Sequence, residues 1–585
     1  MKKINFLFAI LCLAVMSCNP SDDSDSNTNS ATDFTKNFGA VASHDFIGQV
    51  VDVNNLPIQN AAVKIGASTV QTDVNGVFII NGANVYEKFA YITAKKVGYV
   101  DGSRAMIPTS GKNNVKIMMI LSAPIATIQA GVSSEVALPS GTKVVFDGAF
   151  ETEAGVAYTG SVVVSMFHLK SSDENISSLM PGMLYAQAAD GLPKVLETFG
   201  MMEVELRSSG GEKLQIAKTH TAQINMPIDA SQLATAPSSI PLWHFDEENG
   251  YWKEEGSATK VGNQYVGTVS HFSWWNCDTF SSTVSLTVKV VDSIGNPLSN
   301  VGVGLVVTSS NFTSYILYTD NNGQVSGLIP ANQTLTLNNY SSIECSTAPV
   351  NTMSIGPFSV DTVLADIVLN TSGNNLMAAT VQGSLLKCDN TTVTNGYVSL
   401  NYGNQTQFVT VTNGDFSFNT TYCNLNSNFK LKGVDYDSLQ TTDSISYNFT
   451  SPITNVGNLN ACNAVTEFIS YQIDTNAPTY YTNYFQCFTD GNSFYMNGNG
   501  IDDAEELGFY LTGNTFIPGI YNTSEFRIDN YLTGPIDSTI TNSVQFNLSQ
   551  FGAVGGYIDL TFNGTYTNLS GTHTVSGVAH VKRDN

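Results

Sequence analysis

One pattern occurs twice in the sequence and constrains the fold more than any other feature. In its first copy an apolar run ends at Asp52, a Pro follows five residues later, and Thr-Asp-x-Asn-Gly occupies residues 72–76. The second copy repeats these elements at Asp292 and residues 319–323, and a looser third copy covers residues 381–418. Each copy alternates short β-rich runs with turn residues. The chain is therefore predicted to be an array of small β-sandwich modules.

This pattern resembles that of the carboxypeptidase regulatory-like domain, a transthyretin-like β-sandwich. The resemblance is carried by the Asp-to-Pro spacing and by the Thr-Asp-x-Asn-Gly turn, and it covers less than half of the chain. It implies sandwiches at residues 44–122 (module 1), 279–370 (module 2) and 371–463 (module 3). It also implies a scaffold or binding role, because domains of this family carry no catalytic machinery of their own.

The two remaining segments are also rich in predicted strands. Residues 123–278 (the middle domain) contain several alternating runs, a hairpin with Asn249 and Gly250 at its turn, and a last strand that carries His-Phe-Ser. Residues 464–585 (the C-terminal domain) lack the repeated turn, and their strands resemble the terminal β-domain of surface lipoproteins. We therefore expect an all-β fold of tandem β-sandwich modules, Ig-like or transthyretin-like, behind a lipidated N-terminal tether.

The N-terminus has the features of an exported protein. Lys2 and Lys3 precede an apolar run over residues 4–15, which is too short to span a bilayer as a mature helix. The run leads into Val-Met-Ser-Cys, which resembles a bacterial lipoprotein box. The resemblance implies a lipoprotein signal peptide at residues 1–17, cleavage before Cys18 and attachment of acyl chains to Cys18.

Residues 18–43 are polar and acidic, and they are predicted to form a flexible tether. Residue 19 is Asn, so the usual signal for retention at the inner membrane is missing. Residues 21–25, Ser-Asp-Asp-Ser-Asp, resemble the acidic tag that directs some lipoproteins to the outer face of the outer membrane. We therefore expect the protein in the outer membrane, exposed at the cell surface, with the membrane as its partner through the lipid anchor.

The charge balance argues against one class of partner. The chain has 25 Lys and Arg against 49 Asp and Glu, which gives a formal net charge of −24. A surface this acidic repels the phosphate backbone of nucleic acids. We therefore expect no nucleic-acid partner.

The cysteines predict disulfides in an oxidising compartment. Beyond the N-terminal region there are six: Cys277, Cys345, Cys388, Cys423, Cys462 and Cys487. Six cysteines allow fifteen pairings. Of these we favour Cys277 with Cys345, because both lie in or beside the second repeat. The sequence has no Cys-x-x-Cys, and His271 is the one histidine near a cysteine at ligand spacing, so we expect no metal site.

A second surface feature occurs after residue 290. Asp followed by Ser or Thr and then by an aliphatic residue or Thr resembles the O-glycosylation sequon of surface lipoproteins. The implied acceptors are Ser293, Thr362, Ser438, Ser444 and Ser538.

One tripeptide, His271-Phe272-Ser273, resembles the cleavage site of self-processing β-domains. The resemblance implies that Ser273 attacks the preceding carbonyl, that His271 acts as base, and that the Phe272–Ser273 bond is cut after an N-to-O acyl shift. The alternative is a buried aromatic strand whose His and Ser are satisfied by hydrogen bonds. The sequence lacks His-Glu-x-x-His, Gly-x-Ser-x-Gly and the Rossmann fingerprint. We therefore expect no enzymatic turnover and no cofactor.

The favoured hypothesis is a non-enzymatic outer-membrane surface lipoprotein that acts as a binding or adhesion scaffold for a protein or glycan ligand. An alternative is a carbohydrate-binding accessory protein of a glycan-uptake system, which would expose aromatic side chains on one sheet face. The candidates, which a buried core would also explain, are Trp243, Trp252, Trp274 and Trp275. A third hypothesis is a self-processing surface protein cut at Phe272–Ser273.

Overall fold

The described part of the chain consists mainly of β-strands, which confirms the predicted all-β fold. The computed structural model describes residues 34–308, 312–341, 348–369, 376–403, 405–464, 467–474, 479–481, 485–490, 493–499, 505–512, 516–530, 541–568 and 571–584. Among these residues, no helix is long and apolar enough to cross a membrane.

Module 1 is a sandwich of two sheets. Its elements are a 3₁₀ helix (Phe34–Phe38), β1 (Val41–Asp52), β2 (Ala62–Ile65), β3 (Ser68–Gln71), β4 (Val77–Tyr86), β5 (Ala90–Lys95), β6 (Gly102–Met106) and β7 (Lys112–Met119). One sheet has the order β4-β1-β7, and the other has the order β3-β2-β5-β6. Apolar side chains that alternate along the strands, such as Val63 and Ile92, fill the space between the sheets.

Residues 34–43 fall within the predicted tether, but they are folded. Phe34 and Phe38 are buried in an aromatic cluster. The ring of Phe34 lies 4.5 Å from that of Tyr251, and the ring of Phe38 stacks on Phe89 at 4.2 Å. These contacts anchor the segment ahead of β1, which the polar composition around the two phenylalanines did not indicate.

The two copies of the repeated pattern fold through the same hydrogen bonds. In the first copy, the side chain of Asp52 accepts hydrogen bonds from the backbone N–H groups of Asn54 and Leu56, both at 2.8 Å. In the second copy, Asp292 accepts from the N–H groups two and four residues later, at 2.9 and 2.8 Å. An Asp at this position therefore stabilises the turn by replacing a backbone acceptor.

The Thr of each Thr-Asp-x-Asn-Gly turn is buried and joins the turn to the preceding loop. The hydroxyl of Thr72 donates to the carbonyl of Ile58 at 2.6 Å and accepts from the N–H of Ala61 at 2.9 Å. The hydroxyl of Thr319 makes the same two bonds in module 2, at 2.6 and 3.0 Å. The recurrence of this pattern in the sequence thus reflects one hydrogen-bond network formed twice.

The middle domain contains a short helix and a large sheet. Its elements are β8 (Pro124–Gln129), β9 (Ser134–Ala137), β10 (Lys143–Phe146), β11 (Phe150–Thr152), β12 (Ser161–Leu169), α1 (Ile176–Leu179), β13 (Tyr185–Gln187), β14 (Pro193–Ser208), β15 (Lys213–Ile216), β16 (Ala222–Pro227), β17 (Ser239–Asp246), β18 (Tyr251–Val261), β19 (Gln264–Val269) and β20 (Trp274–Val291). The main strand order is β11-β15-β14-β20-β17-β18-β19-β16-β10-β9. Successive residues Trp274 and Trp275 enter different hydrophobic clusters, because side chains alternate along a strand.

Strand β20 is shared between the middle domain and module 2. Its first part pairs with β14 and β17 of the middle domain. Module 2 adds β21 (Gly302–Val307), β22 (Phe312–Thr313), β23 (Leu317–Tyr318), β24 (Gln324–Pro330), β25 (Leu335–Tyr340), β26 (Asn351–Ile355), β27 (Thr362–Val363) and β28 (Ile367–Val368). The second part of β20 pairs with β24, β27 and β28. The boundary predicted between residues 278 and 279 therefore falls inside one continuous strand.

We expect Gly323→Ala to destabilise the protein more than Gly295→Ala. Both glycines have left-handed backbone angles, with φ of +72° and +90°, so each alanine costs about 1 kcal/mol. A Cβ on Gly323 would lie 2.5 Å from the carbonyl oxygen of Val290, whereas among the described residues nothing lies within 4 Å at Gly295. Because only the first variant forces the backbone to move, we expect it to lose roughly 2 kcal/mol more. Urea unfolding followed by circular dichroism measures both losses, and equal losses would contradict the close approach.

Module 3 repeats the arrangement of module 1. Its strands are β29 (Leu376–Lys387), β30 (Gly396–Tyr402), β31 (Gln405–Thr410), β32 (Asp415–Cys423), β33 (Asn428–Asp435), β34 (Gln440–Thr441), β35 (Ile445–Asn448), β36 (Ile453–Ala461) and β37 (Asn463–Ala464). Its first strand, β29, lies between an antiparallel partner, β32, and a parallel partner, β36. In module 1, β1 lies in the same way between β4 and β7. The weaker third copy of the sequence pattern therefore forms the same sheet order as the first.

The C-terminal domain is an antiparallel sheet that curls around one core. Its strands are β38 (Phe468–Ile473), β39 (Thr479–Tyr481), β40 (Phe485–Asp490), β41 (Ser493–Asn499), β42 (Glu505–Thr512), β43 (Gly519–Asn530), β44 (Thr541–Asn542), β45 (Gln545–Phe551), β46 (Tyr557–Asn568) and β47 (Gly571–Lys582). The main order is β39-β38-β47-β46-β45-β43-β42-β41-β40. Its core is rich in aromatic side chains, which include Phe494, Phe509, Phe546 and Phe562.

Module 1 contacts modules 2 and 3 through the Thr-Asp-x-Asn-Gly turns of modules 1 and 2. In module 1, one carboxylate oxygen of Asp73 holds its own turn, and the other accepts a hydrogen bond from the hydroxyl of Tyr397 in module 3 at 2.8 Å. In module 2, one oxygen of Asp320 likewise holds its turn, and the other accepts from Thr109 of module 1 at 2.5 Å. In modules 1 and 2, the motif therefore shapes the module and also joins it to a neighbour.

Candidate functional site

The tripeptide His271-Phe272-Ser273 lies in the turn between β19 and β20. Its last residue, Ser273, directly precedes the start of β20. Phe272 is buried in the core of the middle domain. The side-chain amide of Gln215 holds both sides of this residue. It accepts from the N–H of Phe272 and donates to its carbonyl oxygen, each at 2.8 Å. Gln215 therefore holds the two peptide groups that flank Phe272.

The Ser273 hydroxyl and the His271 ring have different partners. The hydroxyl of Ser273 donates to the carbonyl of Trp274 at 3.2 Å. The Nε2 atom of His271 lies 3.3 Å from a carboxylate oxygen of Glu255, and the carbonyl of His271 accepts from the indole N–H of Trp275 at 3.0 Å. Within the described residues, Ser273 and His271 are thus hydrogen-bonded to other partners, and they lie in a turn, whereas the sequence predicted a strand at this position.

Three separate elements bring His271 together with two residues that the sequence did not single out. His244 comes from β17 and Glu255 from β18, while His271 lies in the turn after β19. The Nδ1 atom of His244 lies 3.0 Å from the same Glu255 oxygen that faces His271. The two imidazole rings are 4.7 Å apart, edge to face. We call these three residues the His-Glu-His cluster.

The surroundings of the cluster set its charge state. Burial, together with the neighbouring His271, lowers the pKa of His244 to about 4, so this imidazole is neutral at pH 7. Burial opposes ionisation of Glu255, but a hydrogen bond from Ser270 and the charges of the two histidines lower the pKa of this carboxyl below its usual value. The cluster at neutral pH therefore holds a carboxylate and at least one neutral imidazole.

No local sequence pattern indicates this cluster. Its members belong to three different segments of the middle domain, and no spacing rule connects them. The hairpin of β17 and β18 was recognisable from the sequence, but the position of His244 relative to Glu255 depends on the strand register. In the structure, Trp243 pairs with Glu254, and His244 pairs with Lys253. A strand register is set by tertiary packing.

The four tryptophans do not form an exposed platform. Trp243, Trp252 and Trp275 are 0% exposed, and Trp274 is 3% exposed. The indole N–H of Trp243 donates to the backbone carbonyl of Asp278 at 3.1 Å. The carbohydrate-binding hypothesis relied on these side chains as surface aromatics, and the structure instead places them in the core.

The predicted disulfide lies partly outside the described residues. Cys345 is not among them, so its pairing with Cys277 stays a prediction. Cys277 is buried in the middle-domain core, and burial together with the charge of Asp278 raises the pKa of its thiol. The structure contains a disulfide between Cys388 and Cys462 in module 3. Among the described residues, Cys277, Cys423 and Cys487 are buried free thiols.

The remaining sequence-predicted sites lie at the surface or outside the described residues. Ser293, Ser438 and Ser444 are exposed, and Thr362 is half-buried. Ser538 and the lipidation site Cys18 lie outside the described residues. Glycosylation and lipidation therefore stay predictions.

Comparison with known proteins gives short or weak similarities. No family model matches the chain. Cartilage intermediate layer protein 2 of Mus musculus is 30% identical over 138 residues, which cover 23% of this chain and 11% of that protein. The Homo sapiens protein of the same name is 30% identical over 130 residues, 21% of this chain and 11% of that protein. The chain thus spans about a tenth of the length of these curated relatives.

Among solved structures, a streptococcal ancillary pilin has 13% sequence identity and a TM-score of 0.14, over 40% of this chain and 98% of that one. The major pilin subunit BcpA of Bacillus cereus has 9% identity and a TM-score of 0.11, over 72% of this chain and 100% of that one. The Bacillus anthracis TIE protein has 11% identity and a TM-score of 0.14, over 71% and 72%. Likeness at these scores is too weak to bear on function.

Proposed function

We propose that this chain is a non-enzymatic, lipid-anchored protein of the outer-membrane surface that acts as a binding or adhesion scaffold for a protein or glycan ligand. The observation that carries the proposal is the way in which the sandwiches are joined. The turns of modules 1 and 2 hydrogen-bond to neighbouring modules through Asp73 and Asp320, and β20 runs from the middle domain into module 2. Such joints hold loops in fixed relative positions, which suits presentation of a binding surface.

A second set of contacts supports a stiff assembly of modules 1 and 3. Ile47 and Val77 of module 1 form a buried cluster with Tyr397 and Val434 of module 3. The side chain of Lys432 also donates to the side-chain oxygen of Asn75 at 3.3 Å. Apolar burial and directed hydrogen bonds at one interface oppose relative motion of the two modules.

The anchoring part of the proposal is tested by fractionating cells that express Cys18→Ala and Cys12→Ala variants. We expect Cys18→Ala to leave the membrane fraction, because the lipid attachment would be lost, and Cys12→Ala to behave as the wild type. Protease treatment of intact cells should degrade the wild-type protein if it is displayed on the outer face. The proposal would be overturned by a Cys18→Ala protein that stays in the membrane fraction as the wild type does.

The intact mass of the natively expressed protein distinguishes the scaffold from the self-processing hypothesis. A single full-length species is expected, because the Ser273 hydroxyl donates to the Trp274 carbonyl and Gln215 holds Phe272 in place. Two fragments that meet at Phe272 and Ser273, and that become one species in Ser273→Ala, would instead favour self-processing.

A further inference from the structure

We propose that the His-Glu-His cluster binds a divalent transition-metal ion of the zinc class and leaves one coordination position open to solvent. The ligands would be His244, Glu255 and His271. Two imidazoles and one carboxylate are a donor set that zinc uses in sites where a fourth position holds water or another small ligand.

The distances between the donor atoms fit such an ion. With metal–ligand bonds of about 2.0–2.1 Å, two ligands of a tetrahedral ion lie roughly 3.3 Å apart. The Glu255 oxygen lies 3.0 Å from Nδ1 of His244 and 3.3 Å from Nε2 of His271. All three donor atoms lie within 4.8 Å of one another. Small rotations of the side chains would therefore complete the coordination without movement of the strands.

Nδ1 of His244 gives a second, independent indication. This atom is buried, and within the described part of the chain it has no hydrogen-bond partner. It is 3.0 Å from the Glu255 oxygen, but the angle does not meet the requirements of a hydrogen bond. A buried nitrogen without a partner costs free energy. A metal ion between the nitrogen and the oxygen would satisfy it.

The neighbours of the cluster hold the ligands in place, as expected around a metal. The hydroxyl of Ser270 donates to the second oxygen of Glu255 at 2.7 Å, which leaves the first oxygen for the ion. The ring of Trp275 lies 5.2 Å from His271 and 5.6 Å from His244. The side chains of Glu255 and His271 are 40% and 34% exposed, so the fourth position faces solvent.

Ordinary histidine–carboxylate pairs elsewhere in the chain look different. His220 is paired with Asp147 at 2.6 Å, and His573 is paired with Asp474 at 2.8 Å, each through a formed hydrogen bond. Each of these pairs joins one imidazole to one carboxylate. In the His-Glu-His cluster, two imidazoles converge on one oxygen, and one of them is not hydrogen-bonded. The ion-pair explanation that suits His220 therefore does not account for His244.

Metal binding would also assign His271 a role other than that of a base. An imidazole that coordinates a metal through Nε2 carries its proton on Nδ1, so it cannot accept a proton from Ser273. The ion would instead link β17, β18 and the turn before β20. It would thus fasten two neighbouring strands of the middle-domain sheet to the turn before β20, and it would present a Lewis-acidic position that a carboxylate or imidazole of a partner could occupy.

The test uses the full chain after treatment with a chelator and removal of the chelator. We expect Co²⁺ to bind in a ratio of one to one and to give the visible absorption of a tetrahedral site, and Zn²⁺ to displace it. We expect His244→Gln and Glu255→Gln to weaken Co²⁺ binding at least 100-fold. The matched control is His220→Gln, which removes a paired histidine outside the cluster and should bind Co²⁺ as the wild type does.

Two results would overturn the proposal. One is the absence of Co²⁺ and Zn²⁺ binding by the wild type at 100-fold molar excess of either metal. The other is equal affinity in the wild type and in both cluster variants, which would indicate surface binding elsewhere. Tryptophan emission shows whether each variant is folded, and Glu255→Gln conserves the volume of the side chain. An unfolding midpoint that rises with Zn²⁺ in the wild type and the control, but not in Glu255→Gln, would support the site.

Discussion

Trp243→Ala should reduce the free energy of unfolding of the middle domain by about 3–5 kcal/mol. The indole is fully buried in a cluster that also contains Trp252 and Trp274. Its removal leaves a large cavity and also removes the donor to the carbonyl of Asp278. The four tryptophans of the chain all lie in the middle domain. The emission of the remaining three therefore follows the unfolding of this domain selectively during urea titration.

The same experiment separates the scaffold hypothesis from the carbohydrate-binding alternative. Ile294→Ala is the control, because this side chain is 82% exposed and its loss should change stability by no more than about 0.5 kcal/mol. A Trp243→Ala protein that is as stable as the control would contradict the buried position of the indole. If Trp243 formed part of a glycan platform, its removal would weaken glycan binding and leave stability unchanged.

Removal of the disulfide in module 3 should cost about 2–4 kcal/mol. Cys388 and Cys462 are 74 residues apart in sequence and follow directly after β29 and β36. These strands pair in parallel, and Lys387 lies opposite Ala461 at their ends. In the chain-entropy account, a cross-link that closes a loop of this length lowers the conformational entropy of the unfolded state, which destabilises that state by about 4 kcal/mol. Strain and residual structure reduce the measured effect.

The double variant Cys388→Ser/Cys462→Ser tests this effect, with circular dichroism during urea unfolding as the measurement. We expect the oxidised double variant to be less stable than the oxidised wild type, and we expect dithiothreitol to remove most of this difference. Equal stability of the oxidised wild type and the double variant would refute a stabilising role for the cross-link. A thiol count that gives no disulfide in the purified protein would do the same.

The parts of the fold that the sequence predicted are those set by local hydrogen bonds. The Asp turn at Asp52 and the buried Thr72 depend on groups fewer than twenty residues apart, so their residue types and spacing were visible. The order of strands in module 3 was less visible, since its turns use different residues. There, long-range pairing of β29 with β36 imposes the arrangement that the local pattern only indicated.

The features that the sequence did not predict depend on strand register and on pairing between separate segments. The cysteines that are joined, Cys388 and Cys462, approach only because two parallel strands end side by side. Glu255 and His271 are brought together by the register of β18 and the turn after β19, and no spacing rule connects them. The boundary predicted at residue 278 falls inside β20, which pairs with the middle domain as far as Ser282 and with module 2 from Thr283 onward.

Strand β20 also determines how a pulling force would travel through the protein. A scaffold of the proposed kind, held at one end and bound to a ligand at the other, would be under tension. A hinge between domains would absorb that tension by opening. Here the load passes along 18 residues of one strand, whose hydrogen bonds to β14 and β24 lie across the direction of pull. Many of these hydrogen bonds must break together before the strand slides. Strand β20 therefore resists separation of the middle domain from module 2 under tension.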